Sequence, residues 1–187
     1  QVVQIQGGTF RQLGVNAGDD EVTMEGGTIT NVLSSSRGSN TFVINDGNIK
    51  RLLLGTEVDT ATINGGTVQE ILTRFGADKL IVNAGTIDLI DTGESDDQVT
   101  VNGGTIDFIV TGEDQDQLTV NGGAITEIDT EDNNDQVTIT GGTVALLQTG
   151  AGSDTIRLEG GTVNSVFAGG DSDDVFLDGA ATVNTQI

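Results

Sequence analysis

The sequence predicts an all-β fold, a single-stranded parallel β-helix (β-solenoid) with about 19 residues per turn and nine to ten turns. Three observations predict this fold: a phrase that recurs every 19 residues, a period-two apolar pattern within each copy, and a Gly-Gly pair at a constant place. The phrase reads QVTVNGG from Gln98, QLTVNGG from Gln117 and QVTITGG from Gln136. Residues 1–187 are expected to form one domain of about ten such repeats, with no caps visible at either end.

The spacing of the repeat is measured by the second residue of the Gly-Gly pair or its equivalent. This position falls at Gly8, Gly27, Gly47, Gly66, Gly85, Gly104, Gly123, Gly142, Gly161 and Ala180. The interval is 19 everywhere except between Gly27 and Gly47, where it is 20. We expect the extra residue in the run SSSRGSN at 34–40, and a second small insertion in DGAAT near the C-terminus.

Each copy opens with a segment in which apolar and polar residues alternate, as in Val99-Thr100-Val101-Asn102. Alternation with a period of two predicts a strand with one buried face. The Gly-Gly pair then supplies backbone angles that other residues resist, so it predicts a turn. Two further apolar positions follow at a spacing of three, Ile106 and Ile109, and we interpret this part as two short strands meeting at a bend.

A single copy offers only about four side chains for burial, too few to offset the entropy of ordering its backbone. Stacking of successive copies solves this problem, because each strand then pairs with the equivalent strands above and below it. Equivalent residues would lie about 4.8 Å apart along the axis, so that a recurrence in sequence becomes a column in space.

The composition excludes several classes of function. The chain carries 29 acidic and 7 basic residues, for a net charge of −22. That balance argues against nucleic acid or an anionic membrane surface as a partner, and no stretch is apolar for long enough to insert into a membrane. His and Cys are both absent, which removes the usual nucleophile–base pairs and most transition-metal ligands and leaves hard cations such as Ca²⁺.

Two polar columns are predicted to be structural. Stacked amides can bond to one another and to the backbone of the turn. The first column comprises Asn45, Asn64, Asn83, Asn102 and Asn121. The second comprises Thr73, Thr92, Thr111, Thr130 and Thr149.

A third column, here called the aspartate column, has two interpretations. It consists of Asp20, Asn40, Asp59, Asp78, Asp97, Asp116, Asp135, Asp154 and Asp173. Like charges about 4.8 Å apart repel, so some feature must offset the arrangement. Each Asp could accept backbone N–H bonds in its own turn. Alternatively, Ca²⁺ could lie between successive loops, with ligands from Asp97, Asp116, Asp135, Asp154 and Asp173, from the glycine positions Gly150 and Gly152, and from the extra carboxylates Asp96 and Asp114.

The pattern apolar-Thr-apolar-Asn-Gly-Gly-Thr-apolar, followed by Thr-Gly-x-x-x-Asp, resembles the repeats of bacterial secreted and surface β-solenoids, above all autotransporter passenger domains. It is also similar to the calcium-binding 19-residue repeats of RTX-type adhesins. The second resemblance implies calcium binding by loop glycines and Asp, which carries over fully to Gly150, Gly152 and Asp154. The first implies an extracellular location at a bacterial cell surface.

We therefore expect a non-enzymatic structural or adhesive rod: a stalk, an adhesin segment or a filament-forming surface protein. Both termini stop within the repeat, which predicts either continuation of the solenoid or end-to-end stacking of copies. Surface glycans or other cell-surface ligands are the expected further partners. The alternatives are an ice-binding array of outward Thr residues and, less favoured, a polysaccharide-acting β-helix enzyme.

Overall fold

The computed structural model describes residues 1–186 and consists of two ten-stranded parallel sheets. The first sheet holds the odd-numbered strands, β1 (Val2–Ile5), β3 (Glu21–Met24), β5 (Thr41–Ile44), β7 (Thr60–Ile63), β9 (Lys79–Val82), β11 (Gln98–Val101), β13 (Gln117–Val120), β15 (Gln136–Ile139), β17 (Thr155–Leu158) and β19 (Asp174–Leu177). The second holds the even-numbered strands, β2 (Thr9–Gly14), β4 (Thr28–Ser34), β6 (Asn48–Leu53), β8 (Thr67–Leu72), β10 (Thr86–Asp91), β12 (Thr105–Val110), β14 (Ala124–Asp129), β16 (Thr143–Gln148), β18 (Thr162–Phe167) and β20 (Thr182–Gln186). No helix in the described residues is long and apolar enough to cross a membrane.

The prediction of a parallel β-solenoid with about ten turns is confirmed. One coil comprises an odd strand, a Gly-rich turn, an even strand and a loop, and every strand pairs with the equivalent strand of the next coil. Val99 lies opposite Leu118, and Ile106 lies opposite Ile125, each 19 residues further along the chain. The sequence recurrence is therefore a column in space.

The core lies between the two sheets and is built from their inward-facing residues. Val99, Val101, Ile106 and Ile109 are each at most 1% exposed, and the equivalent residues of the other coils join them in one continuous apolar cluster. Strand alternation explains the first pair. The second pair is three residues apart, which strict alternation does not allow.

The structure corrects the interpretation of the segment after the turn. It is a single six-residue strand rather than two strands, and the pairing of β10 with β12 skips Asp88 and Asp107 at the third position. This local irregularity lets Ile106 and Ile109 both point inward although they are three residues apart. The predicted bend is thus an irregularity inside one strand.

The location predicted for the extra residue of the second coil was wrong. It lies within β4, which has seven residues, and not at 34–40. The pairing of β2 with β4 shifts between Phe10 and Gln12, so Leu33 pairs with Leu13 and takes the core position that a constant interval of 19 would give to Val32. A β-bulge absorbs the residue inside the strand. The second predicted insertion is confirmed, because Thr162 pairs with Thr182, 20 residues on.

The residues predicted to face inward are less buried in the two terminal coils. Phe10 is 38% exposed, Val175 39% and Leu177 60%. No further coil packs over them in the described part of the chain, and each sheet ends there with β1, β2, β19 and β20. Within the described residues, the apolar side chains of the two terminal coils are therefore only partly covered.

The Gly-Gly turn is required by close stacking as well as by backbone conformation. Gly104 has a φ of 97°, and a Cβ built there would lie 2.7 Å from the carbonyl oxygen of Gly85 in the preceding coil. A side chain at this position would therefore clash with the backbone below it. Next to the turn, the predicted asparagine column is confirmed, with Nδ2 of Asn102 donating to Oδ1 of Asn83 at 2.8 Å.

Candidate functional site

The aspartate column lies at the end of the loops, directly before each odd strand, and it is sealed from solvent. Asp97, Asp116, Asp135 and Asp154 are each 1% exposed. Asp173, in the last complete loop, is half-buried. Carboxylates are seldom buried this completely unless they are paired, so the column is the chemically unusual feature of the molecule.

One oxygen of each column carboxylate accepts a backbone N–H from the coil before it. Asp78 N donates to Oδ1 of Asp97 at 2.6 Å, and Asp97 N donates to Oδ1 of Asp116 at 2.8 Å. The same bond joins Asp116 to Asp135, Asp135 to Asp154 and Asp154 to Asp173, at 2.8, 2.9 and 3.0 Å. The column is thus a ladder that ties successive loops together.

This ladder modifies the capping interpretation drawn from the sequence. The bonds were expected within each Asp's own turn, but at these positions they run between coils. A bond within the turn is seen at Asp59, whose Oδ2 accepts Gly55 N at 2.9 Å while its Oδ1 accepts Asn40 N at 2.6 Å. Stacking provides an N–H donor from the neighbouring loop that a single repeat cannot show.

The extra carboxylates stand outside the ladder. Asp96 and Asp114 are exposed, and they accept N–H bonds from neighbouring loops: Gln115 N donates to Asp96 at 3.0 Å and Ser95 N to Asp114 at 3.2 Å. Among the described side chains, no group of three or more His, Cys, Asp or Glu is placed to hold a metal ion. The structure therefore shows no preformed calcium sphere joining these residues to the column, and calcium binding stays a prediction.

The glycines of the candidate calcium motif have a conformational role of their own. Gly150 and Gly152 have φ values of 76° and 149°, in the region that favours glycine. The equivalent positions in other coils keep the left-handed conformation without glycine, with φ of 78° at Arg74, 64° at Glu131 and 88° at Asn133. The Gly-x-Gly-x-Asp pattern is thus accounted for by loop geometry and by the ladder.

The second oxygen of most column carboxylates has no partner. Oδ2 of Asp20, Asp78, Asp97, Asp116, Asp135 and Asp154 is buried and makes no hydrogen bond. Such an atom carries a large desolvation cost when the group is ionised. The sequence predicted the column. It could not reveal that each carboxyl is buried with one oxygen hydrogen-bonded and the other without a partner.

Burial shifts the column toward the protonated form. It raises the pKa of Asp97 to about 8, although the Asp78 N–H and the Thr92 hydroxyl act in the opposite direction. Burial likewise raises the pKa of Asp78 and of Asp135 to about 7 and that of Asp116 to about 6. The pKa values of Asp59 and Asp154 are also raised, again mainly by burial.

The predicted threonine column lies beside the aspartates and is buried. Thr73 donates its hydroxyl proton to the Thr92 carbonyl at 2.7 Å, and Thr92 does the same to Thr111 at 2.7 Å. These bonds also run between coils. The Thr130 and Thr149 hydroxyls also donate to the backbone of the next loop, whereas the Thr111 hydroxyl is buried without a partner.

Sequence reasoning missed an acidic groove on the outside of the loops. Glu113, Asp129, Glu131, Asp132 and Gly150 line it. Partial burial raises the pKa of Glu131, and the charges of Asp129 and other nearby carboxylates raise it further. The four acidic residues of this groove lie three to six residues before Asp116 or Asp135, in two consecutive coils.

In architecture the chain is a parallel β-solenoid with a sealed carboxylate ladder. No protein-family model, curated protein or solved structure matches it in sequence or fold comparison.

Proposed function

We propose that this chain is a structural and adhesive rod segment of the extracellular surface, a stalk, adhesin segment or filament-forming component of a bacterial cell surface or matrix. The observation that carries the proposal is the continuity of the stack. Ten coils stack in parallel, and every pair of neighbouring coils is joined through both sheets. At about 4.8 Å per coil, this segment is about 45 Å long.

Three further sets of bonds reinforce the stack along its axis. They are the asparagine column on the outside, the threonine column inside the loops and the aspartate column beside it. All run between coils rather than within one. Polar side chains that form hydrogen bonds between coils are typical of a continuous structural rod rather than of a local chemical site.

The proposed partners are further copies of the chain, or further coils of the same solenoid, and surface glycans. The apolar interior is open at Phe10 and Leu177, so each end offers unpaired strand edges over an apolar surface. Such edges pair readily with further strands. Glycan contact would fall on the outward Asn, Gln and Thr of the odd-strand sheet, around Gln98, Thr100 and Asn102.

The rod proposal is tested by removing one whole coil. Deletion of residues 98–116 removes 19 residues and joins Asp97 to Gln117, which recreates the native junction Asp-Gln. A scaffold should keep its circular-dichroism spectrum and cooperative unfolding and become shorter by about 4.8 Å in small-angle scattering. Deletion of 98–107, about half a coil, is the matched control and should disrupt folding, because it puts outward residues into the core.

Loss of folding in the whole-coil deletion would overturn the scaffold proposal. Adhesion is tested separately, by binding of the intact chain to immobilised neutral glycans and by sedimentation of copies over a range of concentrations. Retardation of ice growth by the intact chain would instead support the ice-binding alternative, for which Thr100, Thr119 and Thr138 form an uninterrupted outward row of three.

A further inference from the structure

We propose that the aspartate column from Asp78 to Asp154 is a proton-holding ladder, in which the unpartnered Oδ2 atoms carry protons in the folded chain. The folded rod is then more stable in mild acid and becomes less stable as the protons leave. The inference is independent of the adhesive role proposed above, because it follows from the interior of the loops alone.

The first argument is the state of the two oxygens. Oδ1 of Asp97 accepts Asp78 N at 2.6 Å, whereas its Oδ2 is buried without any partner. An ionised carboxylate has two acceptor oxygens and needs donors for both, but a protonated one has an acceptor and a donor. The protein thus supplies a hydrogen-bond donor to one oxygen of the carboxyl and none to the other, so the second oxygen is the one that can carry the proton.

The second argument is the neighbour that would accept this proton. The Thr92 hydroxyl lies beside the Asp97 carboxyl but makes no hydrogen bond to its Oδ2. It has a single proton, and this is directed at the Thr111 carbonyl at 2.7 Å. Because that proton is used elsewhere, the Thr92 hydroxyl oxygen is left as an acceptor beside the carboxyl.

The third argument is a neutral member of the column in the native sequence. Asn40 occupies the Asp position, and its Oδ1 accepts Asp20 N at 3.1 Å, as the Asp side chains do. Its Nδ2 donates to Gly38 O at 2.5 Å and to Asp59 Oδ1 at 2.9 Å. The loop therefore accommodates a neutral side chain with a hydrogen-bearing atom where the aspartates have Oδ2.

The surroundings provide almost no positive charge for an ionised column. The sheets contribute apolar side chains on the core side. On the loop side the facing titratable groups are acidic: Glu57 toward Asp59, Asp96 and Asp114 toward Asp116, and Asp173 toward Asp154. Along the column each Asp faces the next one. Of the two salt bridges in the described residues, only that of the Gln1 amino group with Asp20 involves the column.

The pH dependence follows from linkage. The pKa values of Asp78, Asp97, Asp116 and Asp135 are about 7, 8, 6 and 7 in the folded chain, against about 3.9 for an unfolded Asp. Below about pH 4 the column aspartates are protonated in both the folded and the unfolded state, so stability does not depend on their titration there. As pH rises from about 4 to 8 the unfolded chain holds fewer protons, so stability falls, by about tenfold in the folding constant per pH unit and proton.

The direct test is NMR titration of the Asp Cγ shifts of the intact chain in the presence of a chelator. The expected midpoints of the column residues lie between pH 6 and 8, well above those of exposed Asp residues. A column that is fully ionised at pH 5 would overturn the proposal.

The second test compares two single substitutions in urea unfolding between pH 5 and 9. Asp97→Asn replaces one proton-bearing oxygen with NH₂ and should raise the folding constant far more at pH 8.5 than at pH 5. Asp107→Asn removes the same charge from the exposed face of β12. It should change the folding constant by a similar factor at pH 5 and at pH 8.5. High salt screens surface repulsion but not buried protonation. Equal pH slopes in wild type and Asp97→Asn at high salt would contradict the ladder.

Discussion

At the scale of single residues, the loops combine a strained backbone with an excess of negative charge. Glu131 has a φ of 64°, at a position that is glycine in the neighbouring coils at Gly112 and Gly150. The left-handed conformation costs an L-residue about 1–2 kcal/mol. A glycine avoids this strain, but it also makes the unfolded chain more flexible, which offsets part of the gain in stability. The loop therefore tolerates Glu131 at a net cost.

Replacing Glu131 with glycine should stabilise the fold by about 0.5–1 kcal/mol, since it removes strain and one carboxylate from the acidic groove. The measurement is the urea midpoint at pH 7. Glu131→Gln separates the two effects, because it removes the charge and keeps the strain. Glu113→Gly is the control for added flexibility: Glu113 has no positive φ, so this variant should be less stable. A destabilised Glu131→Gly would contradict the strain argument.

At the scale of the strand, stability depends on which residues of β12 face the core. Ile109 is 1% exposed, and its neighbour Phe108 is 46% exposed on the outer face. Ile109→Ala should cost about 2–5 kcal/mol because it opens a cavity between the sheets. Phe108→Ala removes a larger side chain but should cost less than about 1 kcal/mol. Guanidinium unfolding of both variants checks this, and similar losses would mean that the register is wrong.

The strand scale also shows how far the sequence could predict the structure. The alternation at Val99 and Val101 determined the odd strands, because a period of two has one structural meaning. The spacing of three at Ile106 and Ile109 did not, since a local irregularity in pairing is not visible in a residue pattern. The extra residue in β4 was misplaced for the same reason: a bulge leaves no mark in composition, whereas a Ser-rich run suggests a loop.

The candidate site was predicted in position but not in chemistry. The recurrence of Asp97 at 19-residue intervals located the column, and stacking implied that its members are neighbours. Burial of one oxygen without a partner depends on how the Thr92 hydroxyl is oriented and on how tightly the loops close, and neither property is written in the repeat. The glycines at Gly150 and Gly152 suggested a metal, but the positive φ angles at these positions also favour glycine.

At the scale of the whole molecule, calcium and protons are competing ways to neutralise the column. If the ladder holds protons, saturating Ca²⁺ and excess chelator should give the same melting temperature at 0.15 M salt and pH 6, apart from a small shift that Mg²⁺ reproduces. A calcium site would instead stabilise the fold by about 2.7 kcal/mol at a concentration 100 times its dissociation constant. A shift of that size, given by Ca²⁺ and not by Mg²⁺, would establish the calcium interpretation.

The stack should also be unequally stable along its length, because each coil is held only by its neighbours. A central coil such as the one containing Val99 and Ile109 packs against two others, whereas the coils of Phe10 and Leu177 each pack against one and leave apolar side chains exposed. We expect amide hydrogen exchange to be slowest in β9 to β14 and to become faster toward both ends.

Comparison of Ile109→Ala with the unmodified chain sharpens this expectation. Weakening a central interface should let the two halves of the stack exchange more independently, so protection should fall on both sides of β12 and least in the coils furthest from it. Phe108→Ala, with the core intact, should leave the gradient as it is. Uniform exchange across all ten coils of the unmodified chain would mean that the rod unfolds as one unit, and nearest-neighbour stacking would then not describe its stability.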